Sequence, residues 1–93
     1  MRTYEAVCVF RPEEDAFSSG KDTVRQELTT LGGKIVKEDD MGQRTLAYPI
    51  NKQTQGHYYL FVVEMEPEIA HQTEDTLKLK DELIRFLMVR QDK

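Results

Sequence analysis

One cysteine, two histidines, a shortage of positive charge and no long apolar run set the first limits on this chain of 93 residues. The lone Cys8 excludes an internal disulfide, and its place in an alternating apolar stretch makes it a buried, inert thiol. His57 and His71 stand apart from each other and from Cys8, so no pair has metal-ligand or nucleophile–base spacing; neither a metal nor another cofactor is expected. No apolar run approaches the ~18 residues of a membrane helix. Met1-Arg2 leads straight into Tyr4 to Phe10 without a cleavable hydrophobic segment, so the chain is expected to stay in the cytoplasm and away from membranes. With 13 Lys and Arg against 17 Asp and Glu, the net charge is −4. That balance argues against gripping bare nucleic acid by phosphate neutralisation alone. It is compatible with a local basic patch, or with a basic protein partner that brings most of the positive charge.

What is present suffices for one folded domain over residues 1–93. Hydrophobic residues make up 39% and charged ones 32%, too apolar for a disordered chain of low net charge. A chain of this size buries roughly 60–65% of its unfolded surface and must place most of its apolar residues in a single core. Residues 2–10 alternate as a strand covered on both faces. Pro12 and Glu13-Glu14-Asp15 open a helix that runs to about Leu31, with Phe17, Val24, Leu28 and Leu31 on one face and Gly32-Gly33 as its stop. Gly20 is a weak point in that helix.

Lys34 to Ile50 then reads as one long strand with a bulge or bend at Gly42. Its second half alternates Leu46, Tyr48 and Ile50 against Thr45, Ala47 and Pro49. Pro49 has no N–H for a ladder, which places the strand at a sheet edge. Asn51 to Gly56 is polar and reads as the loop of a hairpin whose inner arm is Tyr58 to Val63. Pro67-Glu68 starts a second helix through about Leu79, with Ile69, Thr73 and Leu77 on one side. Leu79 closes it against the core, Asp81-Glu82 turns the chain, and Leu83 to Arg90 forms the last strand.

The order strand, helix, strand, strand, helix, strand is the split βαββαβ arrangement of the α+β ferredoxin-like fold. Right-handed crossovers give a four-stranded antiparallel sheet of order 4-1-3-2, with two helices on one face. The proline strand falls at an edge, as it must. If Tyr59, Phe61, Val63 and Met65 point at the helices, then Tyr58, Leu60 and Val62 point the other way, and the same parity adds Val7 and Val9. These five form an apolar patch on the open face, suited to a protein partner, with Tyr58, Leu60 and Val62 expected to be largely exposed in the isolated chain.

Enzymatic readings find little support. Glu13-Glu14-Asp15 and Glu38-Asp39-Asp40 are explained by a helix N-terminus and a solvated strand end. Arg11-Pro12-Glu13-Glu14 offers a phosphate no glycine cradle and several repelling acids. The octamer Gln55-Gly56-His57-Tyr58-Tyr59-Leu60-Phe61-Val62 partly resembles the base-stacking strand of the RNA-recognition motif, but lacks its leading basic residue and its final aromatic.

Gly42, Arg44, Leu46-Ala47-Tyr48-Pro49-Ile50, Lys52 and Gly56-x-Tyr58 resemble, in order and spacing, the signature of the bacterial small-subunit ribosomal protein S-six family. The likeness extends from Tyr4-Glu5 and Pro12 through Gly32-Gly33-x-Ile35 to Ile84 through Arg90, nearly the whole chain. The resemblance implies a non-enzymatic ribosomal protein, monomeric when free. It implies binding to the central domain of 16S ribosomal RNA, not DNA, together with the basic ribosomal protein S-eighteen. Arg2 and Arg90, on antiparallel neighbouring strands, are expected to form a basic cluster that Lys93 extends; Arg85, Arg44 and Lys52 would add more distant phosphate contacts. Two other readings stand beside it, a stand-alone regulatory or ligand-binding module and an RNA-recognition-type binder. A regulatory module should form a stable homo-oligomer with a small-molecule pocket.

Overall fold

Strand β1, Arg2–Phe10, lies inside a four-stranded antiparallel sheet of order β2-β3-β1-β4, the expected order read from its other edge. A computed structural model describes residues 1–50, 52–78, 80 and 82–91, with Ile50 described by its backbone alone. The expectations for Asn51, Leu79, Asp81, Asp92 and Lys93 fall outside the described residues. Alternate β1 side chains, Tyr4, Ala6, Cys8 and Phe10, are buried beneath the two helices. Cys8 is fully buried, and desolvation pushes its thiol pKa up, away from reactivity.

Helix α1 spans Glu14–Thr30, with Glu14 and Asp15 at the positive end of its dipole. It stops in a Schellman turn: the Gly33 N–H donates to the Leu28 carbonyl at 2.8 Å and the Gly32 N–H to that of Thr29 at 3.0 Å. Gly32 takes the left-handed conformation this requires, φ 89°.

Gly20 is a packing requirement of α1 rather than a weakness. A β-carbon there would stand 2.7 Å from Phe10 Cδ1 and from Glu82 Cβ, closer than such atoms approach. The helix comes this near the sheet because position 20 has no side chain. Gly20→Ala would normally help a helix by about 1 kcal/mol; here the overpacking, typically about 1–3 kcal/mol, is expected to win. Urea titration should give a lower midpoint for Gly20→Ala, and a higher one would mean that Phe10 yields freely.

Strand β2, Lys34–Ile50, and strand β3, Gln53–Met65, make the long hairpin. Register shifts where β2 bulges between Asp40 and Gly42, with Gly42 at φ 82°, and again between Ile35 and Lys37. The loop is shorter than the sequence suggests, since Gln53 to Gly56 belong to β3 rather than to the turn. Gly56 pairs with Arg44 and Gln55 with Thr45, whereas β1 ends at Phe10 opposite His57. The tip of the hairpin therefore overhangs the sheet as a two-stranded ribbon. Pro49 sits in β2, an edge strand, as its missing N–H demands.

Helix α2, Pro67–Leu77, begins with proline in its first turn, where no N–H is needed, and is capped by Lys78. It buries Ala70, Thr73 and Leu77, with Ile69 partly covered. The buried Thr73 hydroxyl donates to the Ile69 carbonyl at 2.8 Å, so no polar atom is left unpaired there. Strand β4, Leu83–Arg90, pairs with β1 as the second edge. The Glu74 carboxylate accepts from the Met88 N–H at 3.3 Å, capping part of that edge.

Candidate interaction surface

Both helices pack on one face of the sheet, the face that carries Phe10, Phe61, Val63, Met65 and Phe86. Two side-chain networks on that side fasten the hairpin to α1. Arg25 donates to both oxygens of Glu38, at 2.9 and 2.7 Å, and Tyr59 Oη donates to Glu38 at 2.7 Å. The Arg25 hydrogen bond, helped by that of Tyr59, holds the Glu38 carboxyl below the usual carboxylate range. Burial first, and the bond to Glu38 second, push the Tyr59 hydroxyl up to about 12. Further along, His57 Nε2 lies 2.6 Å from Asp40 Oδ1 while its ring stacks on Phe17 with centroids 3.5 Å apart. Asp40 is lowered by the His57 bond and by the Gly42 N–H, which also fixes the bulge.

These titratable groups are committed to structure. Among the described residues no three His, Cys, Asp or Glu side chains converge as a metal site. A cavity of about 140 Å³ lies between α2 and the sheet, lined by Tyr4, Pro67, Ala70, His71, Glu74 and Met88, and it presents no nucleophile beside a base.

Among the described residues no element covers the opposite face. The ladder sets its side chains in rows across β4, β1, β3 and β2: Leu87, Val7, Leu60, Asp39, then Val89, Glu5, Val62, Lys37, and Arg85, Val9, Tyr58, Gly42. All five residues expected on the open face therefore share it. Tyr58, Leu60 and Val62 are less exposed than expected, being half-buried by neighbours within the sheet; Val7 is half-buried as well, and Val9 is only 5% exposed. Val9 fills the space that a side chain on Gly56 would occupy, and Leu46 reaches over the same spot from β2.

Two more exposed apolar residues of this face, Leu87 at 40% and Val89 at 46%, are not among those the sequence singles out. Their parity follows from Val7 and Glu5 opposite, a register that β4 alone does not announce. With them the patch crosses three strands.

The five candidate RNA-contacting cations fall into two groups. Arg90 pairs in register with Tyr4, which puts it diagonal to the exposed Arg2, as expected. Arg85, opposite Val9 and about 17 Å from Arg90 along β4, and Arg44, opposite Gly56 and farther still, lie toward the other end of β1. Lys52 is exposed in the hairpin turn at φ 66°. The structure brings Arg2 and Arg90 together and leaves the other three spread across the hairpin end.

Comparison with known proteins places this geometry. A family model described as Ribosomal protein S6 matches residues 3–90. The small ribosomal subunit protein bS6 of Treponema pallidum (strain Nichols) is 42% identical over 92 residues, 99% of either chain. The protein of the same name from Heliobacterium modesticaldum is 39% identical over 94 residues, covering 99% of this chain and 98% of its own. Among solved structures, 30S ribosomal protein S6 from Thermotoga maritima superposes with a TM-score of 0.86 at 26% identity, over 97% of this chain and 87% of that one. The C-terminal domain of the MgtC protein from Mycobacterium tuberculosis superposes at 0.66 with 11% identity, over 98% and 88%, a likeness of fold alone.

Proposed function

Since this chain belongs to the ribosomal protein S6 family, and so is a structural protein of the small ribosomal subunit, we propose that it binds the central domain of 16S ribosomal RNA together with the basic protein S-eighteen. In this reading S-eighteen docks on the open face of the sheet. The observation that carries it is an uncovered apolar face on a chain of net charge −4, whose cations are too few and too divided to hold RNA alone. The partner supplies the missing charge, and the chain supplies the surface that orders it.

The same face speaks against base stacking in the RNA-recognition manner. Of the aromatic residues in 55–62, Tyr59 and Phe61 are buried beneath the helices and only Tyr58 faces outward. Co-sedimentation in cell lysate tests the proposal: the chain should travel with small ribosomal subunits. A free pool of stable homo-oligomers instead would favour the regulatory module.

Phosphate contacts set position without reading sequence, and each one lost lowers the salt slope of binding by about one unit. Arg2→Ala with Arg90→Ala is therefore expected to weaken RNA binding by the two-protein complex and flatten its salt dependence, with fold and partner binding kept. Equal slopes for variant and wild type would remove these arginines from the RNA contact.

A further inference from the structure

Within the apolar patch stands one carboxylate. Glu5, half-buried, lies between Val62 of β3 and Val89 of β4, with Val7 next along its own strand face. Lys37, the only cation in its row, is two strands away, about 10 Å. Among the described residues no cation lies within ion-pair reach of Glu5.

Resting on the proposed docking of S-eighteen at this face, we infer that Glu5 is its charged specificity point and receives an arginine guanidinium of the partner. The partner segment sets apolar side chains on Leu87, Val7, Leu60 and Val62 and carries that arginine among them. Three alternatives fit the surface less well. A wholly apolar segment would strip water from the carboxylate and return nothing. A phosphate backbone laid across the patch would meet Glu5 at its centre, while the cations of this face, Arg85, Lys37 and Lys34, stand at its rim. A second copy related by a two-fold axis through the patch would bring one Glu5 towards the other.

Arginine fits better than lysine. Its planar fork takes both carboxylate oxygens, and it is more weakly hydrated, so it can lie against Val62 and Val89. Glu5 thus turns a greasy surface into one that rejects apolar partners lacking a matched cation.

The test measures affinity of purified S-eighteen for the wild-type chain, Glu5→Gln and Leu60→Lys at several salt concentrations. Glu5→Gln keeps shape and removes charge. Its affinity should fall about 30-fold or more, with a weaker salt dependence and an unchanged unfolding midpoint. A Glu5→Gln chain that binds as tightly as wild type while Leu60→Lys does not bind would overturn the inference and leave the docking face standing. Wild-type affinity in Leu60→Lys would instead overturn the docking face itself. Self-association of the wild-type chain, abolished by Leu60→Lys, in place of S-eighteen binding would assign the face to a second copy.

Discussion

Phe61→Ala should unfold far below the wild-type temperature. Phe61 is fully buried in the central strand β3, its ring 5.0 Å from that of Tyr59 and beneath both helices. Truncating such a ring loses the transfer free energy of its atoms and leaves a cavity that a rigid sheet cannot close, about 3–5 kcal/mol. Small domains hold about 5–15 kcal/mol in total, so a large part of the margin goes with one side chain. At roughly 4–8 °C per kcal/mol for a domain of this size, the midpoint should drop by more than 10 °C. Thermal unfolding followed by circular dichroism reads this directly. An unchanged midpoint would mean that Phe61 does not contribute to the core.

Leu60→Lys should do the reverse, sparing the fold and abolishing the partner. Leu60 is half-buried one residue before Phe61 and faces away from the helices, between Val7 and Asp39 in its row. Lysine suits the test better than aspartate, since a second carboxylate directly opposite Asp39 would destabilise the sheet by itself. Covering Leu60 is worth about 1.5–3 kcal/mol. Stripping water from an ammonium against a basic protein adds a penalty, even with Asp39 opposite it. Affinity for S-eighteen is thus expected to fall at least 100-fold, about 2.8 kcal/mol, while the urea midpoint stays close to wild type. Wild-type affinity would place the partner elsewhere.

The two substitutions sit side by side in the chain and are expected to act on different properties, which is the period-2 alternation of a strand expressed as energy. That alternation, the edge position demanded by Pro49 and the break at Gly42 were enough to read the element order, sheet order and core face from the residues. The hairpin tip was not legible in the same way. Gln53 to Gly56 are polar because the ribbon they form covers no core, and strand patterning is visible only where one face is buried. The burial of Val9 depends on Leu46, 37 positions on, reaching over a glycine, a contact made by register rather than by local sequence. Leu87 and Val89 lie in a nearly continuous apolar run whose alternation is masked, and only pairing with β1 shows which of them face outward. Glu5 reads in sequence as an ordinary polar strand position, and only the ladder sets Val62 and Val89 on either side of it.

With a net charge of −4 and divided cations, this chain is proposed to bind RNA only together with S-eighteen. The most direct measurement is a titration of 16S central-domain RNA at near-physiological salt with this chain, with S-eighteen, and with the two together. Negligible retention of RNA by this chain alone is expected, and tight retention by both proteins together, lost when Leu60→Lys replaces the wild type. Equally tight binding by this chain without S-eighteen would contradict it.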